Sequence, residues 1–141
     1  MTMTQSAAIL AGRALLAYIF IAAGLSKLGD VPGVMAYTAS AGIPGVLAIP
    51  AIALEILGGV AILVGWRTVW AALALALFVV VAGYLYHYLP AQGMEGFARM
   101  AEMNQFLKNV TIAGGFLVLA GFGPGPWSVD ARFPARLAAA A

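Results

Sequence analysis

Residues 44–65 read PGVLAIPAIALEILGGVAILVG, an unbroken apolar run whose one charge, Glu55, falls near its middle. Roughly 20 residues at 1.5 Å rise cross about 30 Å of hydrocarbon, so the run is long enough to span a bilayer. A carboxylate at that depth costs about 2.5–3.5 kcal/mol on insertion scales and must therefore face protein or water. Either Glu55 pairs with a cation inside a helix bundle, or it is kept protonated for a purpose.

Working outward, three more apolar runs cover residues 7–28, 68–89 and 107–122. The first holds Arg13, ends at Lys27, and is followed by the break Gly29-Asp30-Val31-Pro32-Gly33. Residues 34–41 form a short apolar piece suited to the membrane interface. Gly65-Trp66-Arg67 leaves room only for a tight turn, so the second and third runs pair as an antiparallel hairpin. The third run is uncharged until His87 and is stopped by Pro90. Residues 91–106 place Glu95, Arg99 and Glu102 close to helical spacing among Phe97, Met100 and Met103, which predicts a short interfacial amphipathic helix before the fourth span. Gly123-Pro124-Gly125-Pro126 closes the fourth run, and within the tail 124–141 the Ala-rich part from Trp127 is expected to be loosely ordered. The fold class is an all-α membrane protein, a four-transmembrane-helix antiparallel bundle forming one domain over residues 1–141.

Composition agrees. Of 141 residues 64% are hydrophobic and 9% charged, against about 25% charged in a soluble domain. The absence of cysteine removes disulfides and thiolate chemistry. Basic residues are scattered, which leaves no nucleic-acid footprint; the bilayer itself is the partner. One histidine without a second His or a Cys makes no metal site. The first run has no Lys or Arg in residues 1–12 and exceeds a signal-peptide core, so it reads as a retained helix. Four spans put both termini on one side, where Arg13, Arg67, Arg132 and Arg136 face Lys27, Arg99 and Lys108 opposite; the excess predicts cytoplasmic termini.

Lipid gives helices no hydrophobic reason to associate, so small residues must let them approach. Gly12, Gly24, Gly58-Gly59 and Gly114-Gly115 supply such faces, or leave room for a flat ligand.

Two polar groups follow. Counted from the terminal side, Arg13 and Glu55 lie within roughly 6 Å of the same depth, so a buried Arg13–Glu55 pair is the simplest way to carry both charges. It is either a structural bridge or a proton or ligand site. Toward the other face gather Lys27, His87, Lys108 and Asn109, with Tyr84, Tyr86 and Tyr88 around the histidine. His87, Asn109, Lys108, Tyr84 and Lys27 are the candidate ligand-binding residues. Tyrosines and lysines there also serve as ordinary interface anchors, whereas His87 and Asn109 both donate and accept hydrogen bonds and suit a ligand's polar head.

With Arg13, Leu16, Phe20, Gly24 and Lys27 in the first run, Gly42, Pro44, Glu55, Gly58-Gly59 and Gly65 in the second, and Lys108-Asn109, Gly114-Gly115, Gly121 and Ser128-x-Asp130 at the end, the chain resembles the DoxX family of small bacterial membrane proteins. The resemblance implies a multi-pass protein of the bacterial cytoplasmic (inner) membrane. It also implies an association with redox systems, since family members include a subunit linked to thiosulfate:quinone oxidoreduction. Two hypotheses stand beside each other: an accessory that binds a quinone or similar small hydrophobic molecule between its helices, or a non-catalytic scaffold that recruits a redox or detoxification enzyme. Redox-enzyme partners and further copies of the chain are the protein partners implied. No catalytic residue is assigned. A transporter is disfavoured, because one compact bundle without internal repeats offers little room for two alternating states.

Overall fold

A computed structural model describes residues 1–133. Arg136 and the last part of the Ala-rich tail lie outside the described residues. Among those described, four helices are long and apolar enough to cross a membrane.

Helix α1 spans Met3–Leu28 and starts in a capping box: the Gln5 N–H donates to Thr2 Oγ1, and the Thr2 N–H donates to Gln5 Oε1. After the glycine break, Asp30 accepts from the Gly33 N–H and opens the short α2, Val31–Ser40, with Pro32 in its first turn. The short apolar piece after the break is thus helical. A 3₁₀ turn over Gly45–Leu47 leads into α3, Ala48–Val64. Gly65 ends α3 at φ 70°, and Arg67 follows at φ 46°, so the hairpin turns through two left-handed residues.

Helix α4 runs Thr68–Ala91 and ends one residue past Pro90. Ahead of the proline its ladder widens to a π turn over Tyr84–Tyr88, where the Leu89 N–H donates to the Tyr84 carbonyl. Pro90 lacks an N–H and its ring crowds the carbonyl four residues back, so this is where a helix relaxes. Helix α5 is continuous from Gly96 to Phe122. The separate interfacial helix expected over residues 91–106 is therefore the first half of α5, because nothing between Gly96 and Gly114 breaks a helix. At 27 residues α5 measures about 40 Å, which carries Arg99 and Glu102 beyond the hydrocarbon.

α1 packs chiefly on α3 and α4 on α5, with α3 and α4 forming the seam. The shared core holds Ala17, Phe20, Ile62, Leu75, Val79 and Phe116, and the Phe20 and Phe116 rings meet at 5.4 Å. Leu15, Leu57, Leu77 and Leu117 stay well over half exposed, an apolar outer surface that matches lipid and not water.

Glycines set the register. A Cβ on Gly24 would meet Ile56 and Glu55, one on Gly59 would meet Ala17 and Ile21, and one on Gly65 would meet Arg13. Gly12 and Gly114 have nothing within 4 Å, so they are not the packing faces the sequence suggested.

The segment after the fourth span is also tied down. Ser128 caps a short α6, Val129–Arg132, and the Asp130 N–H donates to the Gly65 carbonyl at 2.8 Å. The expectation of a loose tail fails for these residues.

Candidate functional site

The buried charges are arranged differently from the expected Arg13–Glu55 pair. Glu55 accepts from Lys27 Nζ at 2.5 Å, and its side chain is 6% exposed against 36% for Lys27. Arg13, 2% exposed, sends Nε to the Ile62 carbonyl, one Nη to Leu63, and the other to Pro124 and Trp127. The depth argument failed because it set the start of α1 level with Gly65, whereas Gly65 lies beside Arg13. With Gly24 level with Glu55 and Gly65 level with Arg13, the two side chains stand about 16 Å apart along the bundle axis. Lys27, one turn past Gly24, is the cation within reach.

Asp130 completes the Arg13 end. Its two carboxylate oxygens accept from the backbone N–H groups of Arg67 and Thr68 at 2.8 and 2.9 Å, capping α4. Burial pushes this carboxyl up, but those hydrogen bonds and the Arg13 charge outweigh it and hold the group below its ordinary value.

At the other end the bundle opens a cavity of about 610 Å³ lined by α1, α2, α3, α4 and α5. Lys27, Glu55, His87, Lys108 and Asn109 all line it, so Glu55 leaves the first group read in the sequence and joins the second, while Arg13 does not. Most of the remaining wall is apolar, including Phe20, Ile52, Phe78, Leu85 and Ile112. Tyr84 is not part of it. Its ring stacks on Tyr88 at 5.4 Å and it is 46% exposed.

Helix α2 contributes residues the sequence reading missed. Tyr37 and the buried Thr38 line the cavity, and the Tyr37 ring stacks on Tyr86 at 5.0 Å. Burial, reinforced by the neighbouring Glu102 and Tyr86, raises the Tyr37 phenol above its ordinary value, so it stays a donor. The π turn aims His87 so that Nδ1 meets Glu102 Oε2 at 2.7 Å while the ring lines the cavity. A two-residue signal, Tyr37 beside a helix break and Glu102 on the polar stripe, was present but carried no spacing that linked it to His87. Lys108 is exposed and donates to Gln105 Oε1. Asn109 packs against Gly83, where a Cβ would collide with its amide. Among the described residues no three His, Asp or Glu side chains gather as a metal site.

A four-helix membrane bundle with a few polar side chains in an otherwise apolar cavity is the class of protein these features define. The DoxX family profile matches residues 8–88, and the chain belongs to the DoxX family. It is 37% identical over 126 residues to the inner membrane protein YqjF of Escherichia coli K12, covering 89% of this chain and 92% of that one. It is 34% identical over 126 residues to the inner membrane protein YphA of the same organism, covering 88% and 89%. No solved structure matches at a significant level.

Proposed function

We propose that this DoxX-family protein binds a quinone or similar small hydrophobic molecule between its helices and serves a membrane redox system as an accessory. The observation that carries the reading is the cavity: about 610 Å³, walled by apolar side chains, with the Lys27–Glu55 pair on its surface. Small-molecule sites have this size and this make-up, a mostly apolar wall and a few convergent polar groups. The scaffold alternative expects a filled interior, and a cavity of this volume is the feature that favours ligand binding over it.

Cytoplasmic termini belong to the same proposal. With Arg13 and Lys27 engaged inside the bundle, Arg67, Arg132 and Arg136 remain against Arg99 and Lys108. Redox-enzyme partners and self-association follow only from the family resemblance.

Equilibrium binding of a short-chain benzoquinone to the purified protein in detergent tests the reading. Saturable binding that falls when Ala82, a small wall residue, becomes Phe supports it. Absence of saturable binding to the wild-type protein would end it.

A further inference from the structure

The cavity's polar groups are not equivalent in what they can offer a ligand. Glu55, the one carboxylate on the wall, is closed off: Oε1 is taken by Lys27, and Oε2 has under 1 Å² of surface and no hydrogen-bond partner among the described residues. Lys27 is the reverse case. Its ammonium has three N–H bonds, and among the described residues it makes one hydrogen bond, to Glu55, with its side chain 36% exposed. The buried carboxylate therefore holds in place an ammonium that lines the cavity and has two N–H bonds not taken by protein among the described residues. Asn109 adds an amide NH₂ that makes no side-chain hydrogen bond among the described residues.

We infer that the site takes an apolar molecule ending in a neutral carbonyl oxygen, a ketone or the oxidised form of a quinone, with Lys27 donating to that oxygen. This rests on the ligand-binding reading above and narrows it. A carbonyl accepts from the ammonium and leaves nothing unpaired. A hydroxyl that accepts from Lys27 must also place its own hydrogen, and the nearest strong acceptor, Glu55, is closed. The acceptors that remain on the wall, the Asn109 amide oxygen, the free ring nitrogen of His87 and the Tyr37 and Thr38 hydroxyls, are all uncharged and weaker than a carboxylate. An anionic head would be opposed by Glu55 at Lys27 and would be drawn instead to Lys108 on the same wall, so a carboxylate probe gives the competing outcome.

The test uses the full chain in detergent micelles and two matched sets of probes. One set is 2-undecanone, 2-undecanol and undecanoate, which have no redox chemistry. The other is a short-chain benzoquinone and its quinol, compared without oxygen. The ketone and the quinone should bind about tenfold tighter than the alcohol and the quinol, since an unpaired buried hydroxyl hydrogen costs about that factor. K27M should erase the preference and K27R should restore part of it; if K27M does not fold, the wild-type comparison within each set decides. Equal affinities, or tighter binding of the alcohol, the quinol or undecanoate, would overturn the inference while leaving the cavity a ligand site. If no probe of either set binds saturably, the ligand-binding reading falls and this inference falls with it.

Discussion

Lys27 and Glu55 join α1 to α3 across 2.5 Å, and they differ in access to water, with side chains 36% and 6% exposed. Their removal should therefore be asymmetric. K27M strands a buried carboxylate and is expected to cost about 3 kcal/mol or more. E55Q leaves an ammonium that can turn toward solvent and is expected to cost about 1 kcal/mol. The double variant K27M/E55Q should recover most of the K27M loss. Unfolding in detergent measures all three, and an E55Q loss exceeding that of K27M would contradict the assignment.

Arg13 should tolerate no other cation. Its guanidinium serves four carbonyls on two separate segments, a fan that one ammonium cannot reproduce. R13K is expected to destabilise the bundle by about 3 kcal/mol. Because Arg13 and Glu55 are about 16 Å apart along the axis, R13K and E55Q should add to within about 0.5 kcal/mol. Coupling above about 1 kcal/mol would bring back the direct pairing that the sequence suggested.

The glycines separate by what lies opposite them. Gly59→Ala presses a methyl onto the Ala17 carbonyl and the Ile21 backbone at 3.2–3.3 Å, and should cost about 1–3 kcal/mol by forcing α1 and α3 apart. Gly114→Ala meets nothing within 4 Å and should be neutral or gain a few tenths of a kcal/mol from helix propensity. Equal losses at both sites would mean that Gly114 faces another chain.

Asp130 gives the α4 cap a pH dependence. Its folded pKa lies below the ordinary carboxylate value, so its contribution is fully present above that value and is lost as pH falls through the lowered one. Acidification below the normal carboxylate range should loosen the segment around Ser128 and Asp130, seen as faster proteolysis after Trp127. D130N should be less stable at neutral pH and should lack this acid step. An unchanged acid profile in D130N would assign the step to another group.

The four spans were legible in the sequence because helix length and apolar composition alone decide them, and Gly65 marked the hairpin correctly. What was not legible was the relative height of the helices. Counting residues from run ends treats those ends as coplanar, and the Gly24, Gly59 and Gly65 contacts show that they are not. That shift moved Glu55 from Arg13 to Lys27 and into the cavity with the second polar group, leaving Arg13 at the other end. The break expected near residue 106 came from charge pattern, which sets which face is wet and does not by itself end a helix. Pro90 marked the end of α4 to within one residue but gave no sign of the π turn that precedes it.

The Arg13 fan sets an order of events in biosynthesis. Its Ile62 and Leu63 acceptors emerge 49 and 50 residues after it, but Pro124 and Trp127 follow only after 111 and 114. At about 5–20 residues per second, one half of the guanidinium waits roughly 6–22 s for its last acceptors. Through that interval the guanidinium lacks the Pro124 and Trp127 carbonyls, so the set of four acceptors that fixes α1 is complete only once Trp127 has been made.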